Sequence, residues 1–275
     1  MSFHFRTFLT SLIIIPLHCY AAGTVLDEVV VTATKSETIL GNTAASIGLI
    51  DESVLRRVHH THVNEVLQRI PGVWISRGNG QEHLTAIRSP VLTGAGSCGA
   101  FVMAQDGISL RSPGFCNVNE LFESTTELAS RVEVVRGPDS SIYGSNAMHG
   151  VVNILTPDPM EGHRQVEMES GPNDYYRARL ALSSATLRLD VSGTTDGGYK
   201  DDSGFDQQKM LLKHRAITGK REITTTFSYT NLNQETAGFI RGHDSYKDSG
   251  KKRDNPNPEA YRDARSFKLV SEIDQ

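Results

Sequence analysis

Three groups of residues carry side chains at spacings that chemistry could use. Gly94, Gly96 and Gly99 spell G-x-G-x-x-G with Asp106 downstream, the pattern of a loop that lays backbone amides against a dinucleotide pyrophosphate. The context argues against that use. Ala100-Phe101-Val102-Met103 reads as a strand where such a loop opens a helix, no βαβ unit surrounds it, and Asp106 comes well before the ~20-residue spacing of a ribose-binding acid. His59, His60 and His62 offer imidazoles to a metal ion, yet no carboxylate or cysteine stands at ligand spacing beside them. They read as a solvated helix or loop end, and no metal is expected. Ser140 and Ser141 lack a histidine and acid to activate a hydroxyl. No catalytic residue, no cofactor and no enzymatic reaction is expected.

The elements that position these residues begin with an export signal. Arg6 precedes the apolar run Phe8 to Leu17, and small residues follow at Ala21 and Ala22. This is the order of a secretory signal peptide over residues 1–22, cleaved after Ala21 or Ala22. The run is too short to cross a bilayer. Cys19 could instead accept a lipid, but bulky His18 stands before it where a small residue is wanted. Loss of the signal leaves Cys98 and Cys116, with 17 residues between them. In an exported chain this parity favours one disulfide, closing a loop worth about 3 kcal/mol; two unpaired buried thiols are the alternative.

Composition narrows the class. The chain has 275 residues, 38% hydrophobic and 22% charged, which excludes a bundle of transmembrane helices and a low-complexity disordered chain. A β-barrel remains open, because its lipid-facing and lumen-facing residues alternate. The net charge of -4 shows no basic excess, so no nucleic-acid partner is expected.

The mature chain divides into three parts. Residues 23–45 are an arm with one β-prone burst, Val29-Val30-Val31-Thr32, after Asp27-Glu28. Residues 46–158 form a small α+β domain. Val54, Val58, Val63, Val66, Leu67 and Ile70 have helical spacing up to Pro71-Gly72, and Val102–Ala104, Val132–Val135 and Val151–Leu155 read as strands. Long loops are expected around 89–100 and 109–118. From 163 to 275 the period becomes two: Tyr176, Ala178, Leu180 and Leu182 alternate with Arg177 and Arg179, and Leu187, Leu189 and Val191 with Arg188 and Asp190. Six strands are predicted, at about 164–170, 175–182, 186–193, 206–216, 222–232 and 264–274. An apolar outer face with a charged inner one suits an outer-membrane barrel, whereas a soluble sandwich with one solvated face also fits the strands alone. Long polar links fall at one end, 194–205 and 233–263, with the short 171–174 link in the same set. Barrels of this kind have short periplasmic turns and long outer loops. That puts Lys251-Lys252-Arg253 outside the cell, as a solvated loop or an attractor of anionic ligands.

These residues resemble a known family. Asp27-Glu28-Val29-Val30-Val31-Thr32-Ala33-Thr34 looks like a TonB box. Asn64 to Val73, Ile87-Arg88, Asp106-Gly107-Ile108, Arg131 to Pro138, Tyr143 to Ala147 and Gly150 to Ile154 are similar, in that order, to the plug domain of TonB-dependent outer-membrane receptors. Ser89 departs from the glycine that the family usually has after the arginine.

The resemblance implies an α+β plug followed by antiparallel transmembrane strands, and energy-coupled uptake of a scarce ligand such as an iron-siderophore complex, cobalamin or haem. A ligand-sensing surface receptor or a soluble periplasmic binding module is the alternative. The implied partners are TonB with ExbB and ExbD, a small-molecule or metal-chelate ligand, and outer-membrane lipid. The box would pair with TonB by strand addition. Arg88 and Arg136 are expected to face barrel carboxylates. Arg111 and Phe115 are expected to contact ligand on loops tied by a Cys98–Cys116 bridge. Barrels that hold a plug have about 22 strands, so the six expected here would be the first part of a barrel, and the chain a fragment unable to transport alone.

Overall fold

The computed structural model describes residues 30–31, 38–92, 100–111 and 119–274. The signal peptide, Cys98, Phe115, Cys116 and the box residues Asp27, Glu28, Val29, Thr32, Ala33 and Thr34 lie outside them.

The chain opens on a two-residue strand, β1 (Val30–Val31), paired antiparallel with β2 (Thr38–Ile39). Then come β3 (Ile47–Asp51), α1 (Glu52–Val58) and α2 (Asn64–Leu67). The run read as helical up to Ile70 is thus two short helices. Asp51 caps the first by accepting from Val54 N at 3.0 Å. His59 ends it in the left-handed region, φ 47°, where no further helical hydrogen bond can form. The hairpin β4 (Val73–Arg77) and β5 (His83–Ile87) starts after Gly72, whose φ of +82° turns the chain.

Strands β6 (Phe101–Gln105), β7 (Ile108–Ser109), β8 (Arg131–Arg136) and β9 (Gly150–Leu155) follow, with the short helix α3 (Ser140–Tyr143) between the last two. They join β3 in one mixed sheet, ordered β3-β8-β9-β6-β7, in which β6 and β9 run parallel. Leu67, Ile75, Ile87, Leu121, Val132 and Ile154 are fully buried in the core over this sheet.

The rest is a wall. Strands β10 (Arg164–Gly171), β11 (Tyr175–Ser183), β12 (Leu187–Asp196), β13 (Phe205–Thr218), β14 (Arg221–Glu235) and β15 (Tyr261–Asp274) pair antiparallel in chain order. The six expected strands are therefore present, each as long as expected or longer. Burial is inverted relative to a soluble sheet. Met168 is 83% exposed on the outer face, while Lys209 is 3% exposed on the inner one, with Arg177, Asp190, Ser192 and Lys213 buried beside it. Apolar residues turned outward and charges turned inward suit a wall with lipid outside it.

Links 172–174, 197–204 and 236–260 gather at one end and touch: Gly197 N donates to Asn173 O, and Asp201 N to Arg253 O, both at 2.8 Å. The links 184–186 and 219–220 lie at the other end, as the alternation of long and short connections requires.

Candidate functional site

The wall closes on the α+β domain through cations. Lys209 of β13 reaches Glu127 Oε2 at 2.9 Å. Ser192 of β12 donates to Glu127 Oε1 at 3.3 Å, and Arg179 of β11 donates to the Glu127 carbonyl. Burial would raise the Glu127 carboxyl, but the Lys209 ammonium overcomes it and holds the group at about 2. Lys213 Nζ donates to Thr156 O and Asp158 Oδ1, each at 3.1 Å. Arg177 donates to His60 O at 2.6 Å and His59 O at 2.9 Å, and Glu169 of the neighbouring strand pairs with it at 2.6 Å. Arg262 of β15 reaches Glu82 at 3.1 Å.

This polarity is the reverse of the expected one. Arg88 donates to Arg136 O at 3.1 Å and Ser46 Oγ at 2.9 Å, while Arg136 donates to Pro71 O at 2.9 Å. Among the described residues, neither arginine meets a wall carboxylate. The ends of β5 and β8 converge on the Pro71-Gly72 turn, whose carbonyls have left helical and strand pairing and need donors. Arg88 itself has φ 49°, so the turn at the Arg88-Ser89 departure bends its side chain back over the domain.

The β4–β5 turn meets the end of the wall that carries the long links. Gln81 N donates to Gln234 Oε1 at 2.7 Å, Gln234 Nε2 donates to Asn79 O at 3.2 Å, and Asn79 Nδ2 donates to Ala237 O. Gly80 has φ +51°, and a Cβ there would fall 2.3 Å from Gln234 Oε1, so a larger residue would be strained and would displace the Gln234 amide from this contact.

The histidines differ from expectation. His59 is exposed, but His60 and His62 are buried rather than solvated. Burial lowers His60 to about 3, and lowers His62 and His83 to about 4. Strand β10 also supplies the carboxylates the sequence did not place there: His59, Glu167 and Glu169 lie within 4.8 Å of one another. Arg177 and Arg179 already pair with the two carboxylates, at 2.6 Å and 3.0 Å. A dication would have to displace both guanidinium groups.

Arg111, the expected ligand contact, turns inward to Glu120 at 3.5 Å. Burial lifts Glu120 to about 7; a cation at that distance offsets little of the desolvation cost. Asp106, the acid of the glycine-rich pattern, accepts from Thr156 N at 2.8 Å and Thr156 Oγ1 at 2.7 Å, a structural tie between the β6–β7 turn and the end of β9. Gly94, Gly96 and Gly99 lie outside the described residues. Of the box, Val31 is fully buried against Ile47, Val102, Val135 and Val151, and the β1–β2 pair holds the Val30 backbone.

The seam residues Glu82, Glu127, Asp158, Lys209, Lys213 and Arg262 were not singled out by their sequence. Lys209 and Lys213 stand four apart in one strand, so period two assigns both to the inner face. Their partners come from loops more than 50 residues away, which no local pattern foretells.

Residues 40–151 match the family model described as TonB-dependent Receptor Plug Domain. Among solved structures, the chain is similar to FpvAI in its complex with pyocin S2, with TM-score 0.71 and 16% identity over 89% of this chain and 34% of that one. It is similar to P. aeruginosa FpvA bound to heterologous pyoverdines, with TM-score 0.68 and 14% identity over 89% and 33%. The ferric yersiniabactin uptake receptor FyuA of Yersinia pestis gives TM-score 0.59 and 18% identity over 83% and 37%. The chain thus spans about a third of the length of the structures it matches.

Proposed function

We propose that this chain is part of a TonB-dependent receptor of the Gram-negative outer membrane and serves energy-coupled uptake of an iron-siderophore complex. The observation that carries the reading is a plug seated by ion pairs against the inner face of an antiparallel wall whose outer face is apolar. Such a wall needs lipid outside and a filled lumen inside. The iron chelate is the ligand we favour because the similar structures are described as FpvA bound to pyoverdines and as a ferric yersiniabactin uptake receptor.

In this reading residues 1–22 are the signal peptide, 23–45 the arm, 46–158 the plug and 163–275 barrel wall. TonB, energised by ExbB and ExbD, pairs with Asp27 to Thr34 as an added strand, where main-chain hydrogen bonds give affinity. Because Val31 is buried and Val30 is paired with Ile39, the box must leave β2 before TonB can take it. Pulling then works on a plug held to the wall by Glu127–Lys209 and its neighbours. The disulfide Cys98–Cys116 and the ligand contact at Phe115 expected from the sequence belong to this proposal and lie outside the described residues. Arg111 contributes through its pair with Glu120.

The reading is tested by deleting the gene and growing the strain under iron limitation with a panel of ferric siderophores and, separately, cobalamin. Loss of growth on one ferric siderophore, restored by the wild-type gene, is expected. Unimpaired growth on every siderophore with a defect on cobalamin would overturn the ligand assignment.

A further inference from the structure

The seam between plug and wall is not bonded evenly along the strands. From β11 to β13, Arg177, Arg179, Lys209 and Lys213 all end on plug oxygens. Separating buried pairs of this kind is costly, because each leaves a charge stranded without water.

The halves of β14 and β15 away from the long links differ. There Thr226, Ser228, Lys268 and Glu272 face Gln105 and Asp106 across a narrow space that admits water centres over about 20 Å³, room for about one water. Among the described residues, no hydrogen bond or ion pair crosses it. Asp106 turns its carboxylate to Thr156, and Gln105 turns its amide oxygen to Thr125. The Lys268 ammonium is buried in this wall with no hydrogen-bond partner. The plug carboxylates Glu123, Asp106 and Glu120 act on it only through space, so parting the seam here breaks no hydrogen bond to that ammonium and costs less than parting the β11–β13 side.

We propose that the ligand's passage opens along this seam, between the β6–β7 turn of the plug and the adjoining halves of β14 and β15, while the β11–β13 side keeps the plug clamped. The lining of hydroxyl, ammonium and carboxylate groups suits a hydrated, multiply polar ligand such as a metal chelate. The inference rests on the uptake function proposed above.

The test tethers each side of the plug in whole cells. Ile108→Cys with Thr224→Cys spans the open seam, since both residues line its space. Glu52→Cys with Gln165→Cys spans the crevice on the β10–β11 side. Each pair is joined by a short, cleavable bis-maleimide, and radioactive iron is offered as the ferric complexes of pyoverdine, yersiniabactin, alcaligin and citrate. Surface binding of the complex that wild type imports serves as the folding control. The expected result is loss of uptake with binding retained in the Ile108–Thr224 tether, recovery on cleavage, and wild-type uptake in the Glu52–Gln165 tether. Uptake by the wild type and equally by the Ile108–Thr224 tether would overturn the passage alone, as would equal loss in both tethers. Uptake of none of the four complexes by the wild type would overturn the siderophore reading and the passage with it.

Discussion

At the scale of single residues, the fold depends on charges placed where water is absent. Glu127→Ala leaves Lys209 buried without its partner, a change of the kind that costs about 3–5 kcal/mol. Urea unfolding of the receptor in detergent, variant against wild type, should show it. Lys209→Met combined with Glu127→Leu should recover much of the loss, and an additive double mutant would contradict a coupled pair.

Acid acts through the histidines and Glu127 in the same direction. His60, His62 and His83 are held neutral, at about 3, 4 and 4, against an ordinary value of 6.5. The unfolded chain therefore binds more protons, and their contribution is complete above pH 6.5 and lost as pH falls toward 4. Glu127, lowered from 4.5 to about 2, adds a further loss between those values. Glu120, raised to about 7, acts oppositely: its contribution is present below pH 4.5 and lost as pH rises through 7. Plug stability should therefore decline below pH 6.5, and His62→Gln should flatten that decline. A stability profile level from pH 7 to pH 4 would contradict this assignment.

At the scale of elements, the wall was legible and much of the plug was not. Period-two alternation marks β10 to β15 because each strand has an apolar outer face and a charged face toward the plug, and Leu187, Leu189 and Val191 against Arg188 and Asp190 shows it directly. Strand β5 lacks that signal, because the consecutive Thr85, Ala86 and Ile87 are all buried and both its faces read alike; β4 alternates in burial, but the exposed Trp74 between Val73 and Ile75 hides this in the sequence. The helical run up to Ile70 was split by a histidine in the left-handed region, which spacing does not reveal. The seam was half legible, since the inner face could be assigned but not its partners. The arm makes an element-scale prediction. Val30→Pro removes a backbone donor and restricts the strand, so it should abolish uptake while whole cells still bind ligand. Equal loss of binding and uptake would show the segment to be structural.

At the scale of the whole molecule, the six-stranded sheet is open, with β10 and β15 at its edges. Unpaired backbone groups in lipid cost several kcal/mol each, so the wall is stable in a membrane only when its edges are paired. The 275-residue polypeptide alone in vesicles should therefore give no ligand-dependent uptake. Accumulation above that of empty vesicles would contradict this. Whether TonB moves the plug to admit an iron chelate is read from uptake of radioactive ferric pyoverdine, yersiniabactin, alcaligin and citrate. It is measured in cells carrying the receptor, with and without TonB. One complex should accumulate only when receptor and TonB are both present, and should bind the cell surface without TonB. Equal accumulation with and without TonB, or accumulation that ignores the receptor, would contradict this.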